Sequence, residues 1–172
     1  MDTAANELLE RAEAIMSEEK WREAVNLLEA QPDLIEHNYA LSWDLGWAYF
    51  KLEDYESAES HLTRAMKLQP RSAAAWWALG EAQRHAGKLV EAEQNLKEAL
   101  RLRDGTIGRL SLAISLMERG KWAEAEQVHL KGLELEPESP DRWEYYGSFL
   151  EDAGRMREAA EAFKKARRLM GN

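Results

Sequence analysis

Residues 39–72 read YALSWDLGWAYFKLEDYESAESHLTRAMKLQPRS, and the spacing of this stretch decides the fold because the chain returns to it five times. Ala58 stands ten residues before Leu68. The same pair recurs as Ala24 and Leu34, Ala92 and Leu102, Ala125 and Leu135, and Ala159 and Leu169. The period is 34 residues, shortened by one in the third copy at Asp104-Gly105. A fixed period in this range marks a stack of like supersecondary units, each of which buries its apolar faces only against its neighbours. The repeats align as 5–38, 39–72, 73–105, 106–139 and 140–172, and the expectation is one domain over 1–172.

Within each repeat, two amphipathic segments of about a dozen residues flank a short turn, the pattern of a helical hairpin. An early slot is always small: Ala12, Gly46, Gly80, Ala113 and Gly147. Together with the invariant alanine it lets the two helices of a hairpin approach closely. A second small slot, Ala65, Ala99, Gly132 and Ala166, does the same toward the following repeat. The turn carries Gly87, Gly120 and Gly154, and a large apolar plug follows: Trp21, Tyr55, Leu89, Trp122 and Met156. Asn38, Ser72 and Ser139 stand where an N-cap is needed, with Gly105-Thr106 in the equivalent place, and Pro140 suits a first helical position.

These residues resemble the tetratricopeptide repeat family over essentially the whole chain. The third repeat supplies Trp76, Leu79, Gly80, Ala92, Leu96 and Ala99 of its motif; the second supplies Leu45, Gly46, Tyr49, Ala58, Leu62, Ala65 and Pro70. The resemblance implies an all-α, right-handed α-solenoid of five tandem helix-turn-helix repeats. Two departures are local. Gln31-Pro32 falls where the second helix of the first repeat would continue, so that helix is expected to stop early or kink. His129 replaces the usual leucine or phenylalanine, and a core histidine bonded to a backbone carbonyl is expected there. Charged Arg11 and Arg167 occupy outer slots that are apolar inside the array, which suggests that the array starts and ends within this chain.

Composition excludes much chemistry. Cysteine is absent, so disulfides, thiolate metal sites and cysteine nucleophiles drop out. The formal charge is −9, and residues 5–38 hold nine acidic and three basic side chains. Such a surface repels phosphate backbones, which argues against nucleic-acid binding. The basic run Lys164, Lys165, Arg167 and Arg168 reads as a solvated helix end. The acidic N-terminal stretch is neither a secretory signal nor a membrane span, making a cytoplasmic protein without membrane contact the default expectation. His37, His61, His85 and His129 lack zinc-ligand spacing, and Asp104-Gly105-Thr106-Ile107-Gly108 lacks the ending of a phosphate-binding loop. No nucleophile–base motif is visible. Neither catalytic residues, nor a metal, nor a cofactor are expected.

In the family it resembles, first helices line a concave groove. Carried over, that implies Trp43, Asp44 and Trp47 from the second repeat, Trp77, Glu81 and Arg84 from the third, Leu110 and Ile114 from the fourth, and Tyr145 from the fifth. The centre of such a groove is aromatic and apolar and its margins are acidic. Tryptophan and tyrosine there suit the anchoring of a partner's side chains, although the same rings could fold down to complete packing. Trp76, beside Trp77, falls at a slot the family buries. The family's carboxylate clamp for acidic chaperone tails needs lysine, asparagine and arginine, but the matching slots hold Leu9, Glu13, Asp44, Ala74 and Ala78, and the later frames fare no better.

The resulting expectation is a non-catalytic protein-interaction module, monomeric with weak self-association allowed. Its ligand would be an apolar or amphipathic, basic-edged peptide segment. Two alternatives stay open: a dedicated chaperone for a secreted or assembling substrate, and a self-assembling scaffold.

Overall fold

The computed structural model describes residues 3–171, which form eleven helices and, among the described residues, no strand. They are α1 (Thr3–Ser17), α2 (Trp21–Glu29), α3 (Pro32–His37), α4 (Tyr39–Lys51), α5 (Tyr55–Leu68), α6 (Ala73–His85), α7 (Leu89–Leu102), α8 (Thr106–Glu118), α9 (Trp122–Leu135), α10 (Pro140–Asp152) and α11 (Met156–Leu169). The all-α hairpin repeat is therefore present. The chain divides into two compact units, one ending at Arg103 and the other beginning at Asp104, where the third repeat is a residue short.

The first unit stacks the hairpins α1/α2, α4/α5 and α6/α7, with α3 inserted after the first. Its core runs through Leu8, Leu28, Leu41, Leu45, Leu62 and Leu79, all at most 5% exposed. The second unit holds α8/α9 and α10/α11, with Leu116, Phe149 and Leu150 buried. The invariant alanines are 0–1% exposed in all five repeats. The small slots act as expected. A Cβ built on Gly46 would lie 2.7 Å from Leu62 Cγ, on Gly80 2.7 Å from Leu96 Cγ, and on Gly147 2.6 Å from Phe163 Cε1. No side chain fits there unless Leu62, Leu96 or Phe163 of the paired helix shifts.

All five hairpin turns use the left-handed backbone region. Gly87, Gly120 and Gly154 adopt φ of 77°, 72° and 75°, while Glu19 and Glu53 adopt 58° and 61° at the same slot of the first two repeats. Only glycine does so without steric cost. Pro32 ends the second helix of the first repeat as expected: α2 stops at Glu29 and α3 restarts with proline at its first turn. Ser42 Oγ donates to the Ile35 carbonyl at 2.6 Å, holding α3 against α4.

Of the three expected caps Asn38, Ser72 and Ser139, two form. Asn38 accepts from the Leu41 N–H and Ser72 from the Ala75 N–H. Ser139 makes no such bond, although Pro140 does take the first turn of α10. Asp54 caps α5 through both the N–H and the hydroxyl of Ser57.

Candidate functional site

The cap at Asn38 fixes the register of α4, and a helix brings residues three, four and seven apart onto one face. Trp43, Asp44, Trp47 and Lys51 thus share a face of α4, while Leu41, Leu45 and Ala48 go into the core at 0–1% exposure. Trp43 and Trp47 stack with ring centroids 5.5 Å apart and planes 14° from parallel. Trp47 stacks in turn on Phe50 at 5.0 Å and meets Trp77 of α6 at 5.7 Å. Phe50 continues the strip to Tyr55 and, edge-on, to His85 at 5.2 Å. Each well-placed aromatic pair adds about 0.5–1.5 kcal/mol beyond area burial. The strip is consequently a stiff surface. Trp43, Trp47 and Trp77 are all half-buried, and Trp43 and Trp77 also lean on the core. Packing and presentation are combined in the same rings.

Charge is distributed unevenly along this strip. Lys51 Nζ sits 5.4 Å from the Trp47 ring centroid and 5.7 Å from that of Trp21, a cation between two indole faces. Glu81 and Arg84, both candidates from the sequence, bond each other at 3.2 Å with side chains 13% exposed, and Arg84 also reaches His85 at 2.8 Å. They largely neutralise one another. Asp44 differs. It is 6% exposed, and its Oδ2 has no hydrogen-bond partner. Burial, with the negative charge of Glu13 on α1 added, pushes its carboxyl up to about 7. The indole N–H of neighbouring Trp43 is likewise buried without an acceptor.

The three remaining candidates lie in the second unit. Leu110 and Tyr145 are half-buried and line one cleft with Arg109, Val128, His129 and Arg142. Ile114, also half-buried, stands one turn further along α8. Arg142 is 6% exposed but donates to both carboxylate oxygens of Glu136 at 2.8 and 3.1 Å. Arg109 pairs with Asp104.

Two expectations need correction. Trp76 is not core: it is half-buried, and its indole N–H donates to the Pro70 carbonyl at 2.8 Å. Trp143, at the same slot of the fifth repeat, does the same to Pro137. The ring at this slot therefore seals the loop leaving the preceding helix. His129 was expected to bond a backbone carbonyl. Its contacts are instead rings, Phe149 at 5.1 Å and Tyr146 at 6.1 Å, and burial presses its pKa down to about 4 against the opposing charge of Glu126.

Other features were missed. Tyr55, read as a plug, also joins the aromatic strip, and Trp21, another plug, meets it through Lys51. Glu59 to Lys88 and Glu126 to Arg155, each 2.6 Å, tie one repeat to the next at matching slots. An acid recurring 29 residues before a base was the available signal. Among the described residues no cluster of histidine, aspartate or glutamate is arranged to hold a metal, and no helix is long and apolar enough to cross a membrane.

Comparison with known proteins gives this geometry a family. A family model described as tetratricopeptide repeat matches residues 44–105 and 110–172. The TPR repeat-containing protein PA0015 of Pseudomonas aeruginosa is 36% identical over 63 residues, which make up 37% of this chain and 60% of that protein. The chain thus spans less than two thirds of that relative's length. Among solved structures, MamA 41-end from Desulfovibrio magneticus RS-1 superposes with a TM-score of 0.81 at 18% identity, over 99% of this chain and 97% of that one. YrrB, described as a TPR protein with an unusual peptide-binding site, gives 0.71 at 18% identity over 96% and 86%. At such identities the structures speak for the fold. With the family model matching well over half of its residues, and with its hairpins closed at the small slots described above, the chain belongs to the tetratricopeptide repeat family.

Proposed function

We propose that this protein is a non-catalytic, cytoplasmic interaction module. It holds an apolar or amphipathic, basic-edged peptide segment of a partner protein against its first helices. The observation that carries this reading is the strip Trp43–Trp47–Trp77, three indoles within 5.7 Å of their neighbours and only half covered. Large rings held rigidly and left partly open suit an anchor's role, because little side-chain entropy is lost when a partner covers them. Acidic residues beside the strip favour a partner of opposite sign and disfavour acidic chaperone tails. Treating all five repeats as one domain, monomeric in solution, belongs to the same proposal, as do Leu110, Ile114 and Tyr145 as further groove residues.

The test is capture from the native lysate with wild type beside Trp47→Ala. Partners held by wild type and lost from the variant, with helicity and melting temperature kept within a few degrees, support the reading. Equal capture by both proteins contradicts it.

A further inference from the structure

Each buried polar group in a folded protein normally has a partner, and an exception calls for an explanation. On α4 two exceptions are adjacent in sequence. Asp44 Oδ2 is a buried acceptor with nothing donating to it, and Trp43 Nε1–H is a buried donor with nothing accepting from it. An unpaired carboxylate at 6% exposure is expensive to keep, since burial penalises its charge without any compensating bond. The surroundings make matters worse, because Glu13 on α1 adds a second negative charge. The cation on the same face, Lys51, is held over the faces of Trp47 and Trp21.

We propose that Asp44 and Trp43 form a receptor for one basic residue of a bound peptide, an arginine in preference to a lysine: Asp44 accepts from its guanidinium and Trp43 donates to its backbone carbonyl. The inference rests on the peptide-binding reading above and sharpens it. The decisive positive charge of the ligand sits at the Trp43 end of the aromatic strip.

Three features argue for this occupant. The two vacant groups are of opposite kind, so a free polyamine would satisfy the carboxylate and leave the indole N–H unmet, whereas a peptide residue answers both. The sign is right, because Asp44 and Glu13 together attract a cation and Lys51 does not cancel them. The planar guanidinium presents a fork of donors that matches a carboxylate, a geometry that an ammonium cannot match. The position of Asp44 also explains a departure from the family pattern. Where a carboxylate clamp would present an asparagine, this chain presents an acid, and the preferred ligand changes sign.

A displayed random-peptide library, panned on wild type and on Asp44→Asn, tests the proposal. Wild type is expected to enrich peptides with an arginine flanked by apolar residues, and Asp44→Asn to enrich apolar peptides without that arginine. A synthetic copy of a winning peptide should bind wild type about tenfold or more tightly than the same peptide carrying citrulline, the uncharged isostere of arginine. This arm stands even if Asp44→Asn folds poorly. Enriched peptides that lack a basic residue, or that keep equal arginine preference on Asp44→Asn, overturn the receptor while leaving the peptide groove intact. Spermidine competing as well as the arginine peptide overturns the peptide residue as occupant. Enrichment of nothing on either protein removes both the receptor and the groove.

Discussion

One buried charge from each of the two units lies at the same depth, and the two are treated in opposite ways. Arg142 of the second unit and Asp44 of the first are each 6% exposed. Arg142 meets both oxygens of Glu136 and is a finished piece of structure. Asp44 Oδ2 meets no hydrogen-bond partner, and Glu13, which acts on it, has its own sign. Depth of burial is therefore no guide to function here; the missing partner is. A paired buried charge holds a fold in register, whereas an unpaired one is a cost the fold carries for something outside it.

Asp44 is where a substitution should change stability most. Its carboxyl titrates at about 7 in the folded protein against 3.8 when exposed. Between those values the unfolded chain is ionised while the folded one keeps its proton, so stability is full below pH 3.8 and is lost as pH rises through 7. Asp44→Asn removes that loss. It should raise the unfolding free energy at pH 8 by up to about 4 kcal/mol, with the advantage shrinking to nothing by pH 4. Urea titrations across that range measure it, and a variant no more stable than wild type at pH 8 would mean that Asp44 already has a partner.

The second unit should answer acid in the opposite sense. His129 is held at about 4, below the 6.5 of an exposed histidine, because burial disfavours its charge. As pH falls from 6.5 toward 4 the unfolded chain takes up a proton that the folded one refuses, and stability drops. His129→Leu should therefore rescue about 3 kcal/mol at pH 4 and change little at pH 8. Identical slopes for variant and wild type would count against the buried position of the ring.

A smaller effect sharpens the contrast directly. Glu136→Ala strips Arg142 of both these bonds and should lower stability, because a buried donor is left unmet. Asp44→Asn and Glu136→Ala thus each remove one acid, yet they should move stability in opposite directions at pH 8. The smallest effect compares the turns. Glu53 adopts φ 61° where the second unit uses glycine, so Glu53→Gly should stabilise by about 1 kcal/mol in chemical denaturation.

How far these features could be read in advance depends on their range. The period, the hairpins, the close approach at Gly46 and Gly80, and the break at Pro32 follow from local spacing and were legible. So was the concentration of indoles on α4 and α6, since helical periodicity alone puts Trp43 and Trp47 on one face. What spacing could not show was whether a side chain finds a partner. Asp44, Glu81 and Arg142 look alike as charges in helices; which of them is paired depends on neighbours brought in by folding. Trp76 was misread for a related reason. Its indole N–H finds the Pro70 carbonyl at the mouth of a loop, which holds the ring at half-burial instead of in the core. At Asp54 a second-helix cap went unnoticed because its neighbours in other repeats are not capping residues.

The most direct measurement is the carboxyl titration of Asp44 itself, followed by carbon-detected NMR in the free protein and again with an arginine peptide selected from the library. The account predicts a midpoint near 7 in the free protein. Bound, the midpoint should fall to the ordinary aspartate range or below it, because the guanidinium favours the charged form. A free midpoint close to 3.8, or one that binding leaves unmoved, would contradict the claim that this carboxylate is held in reserve for a partner.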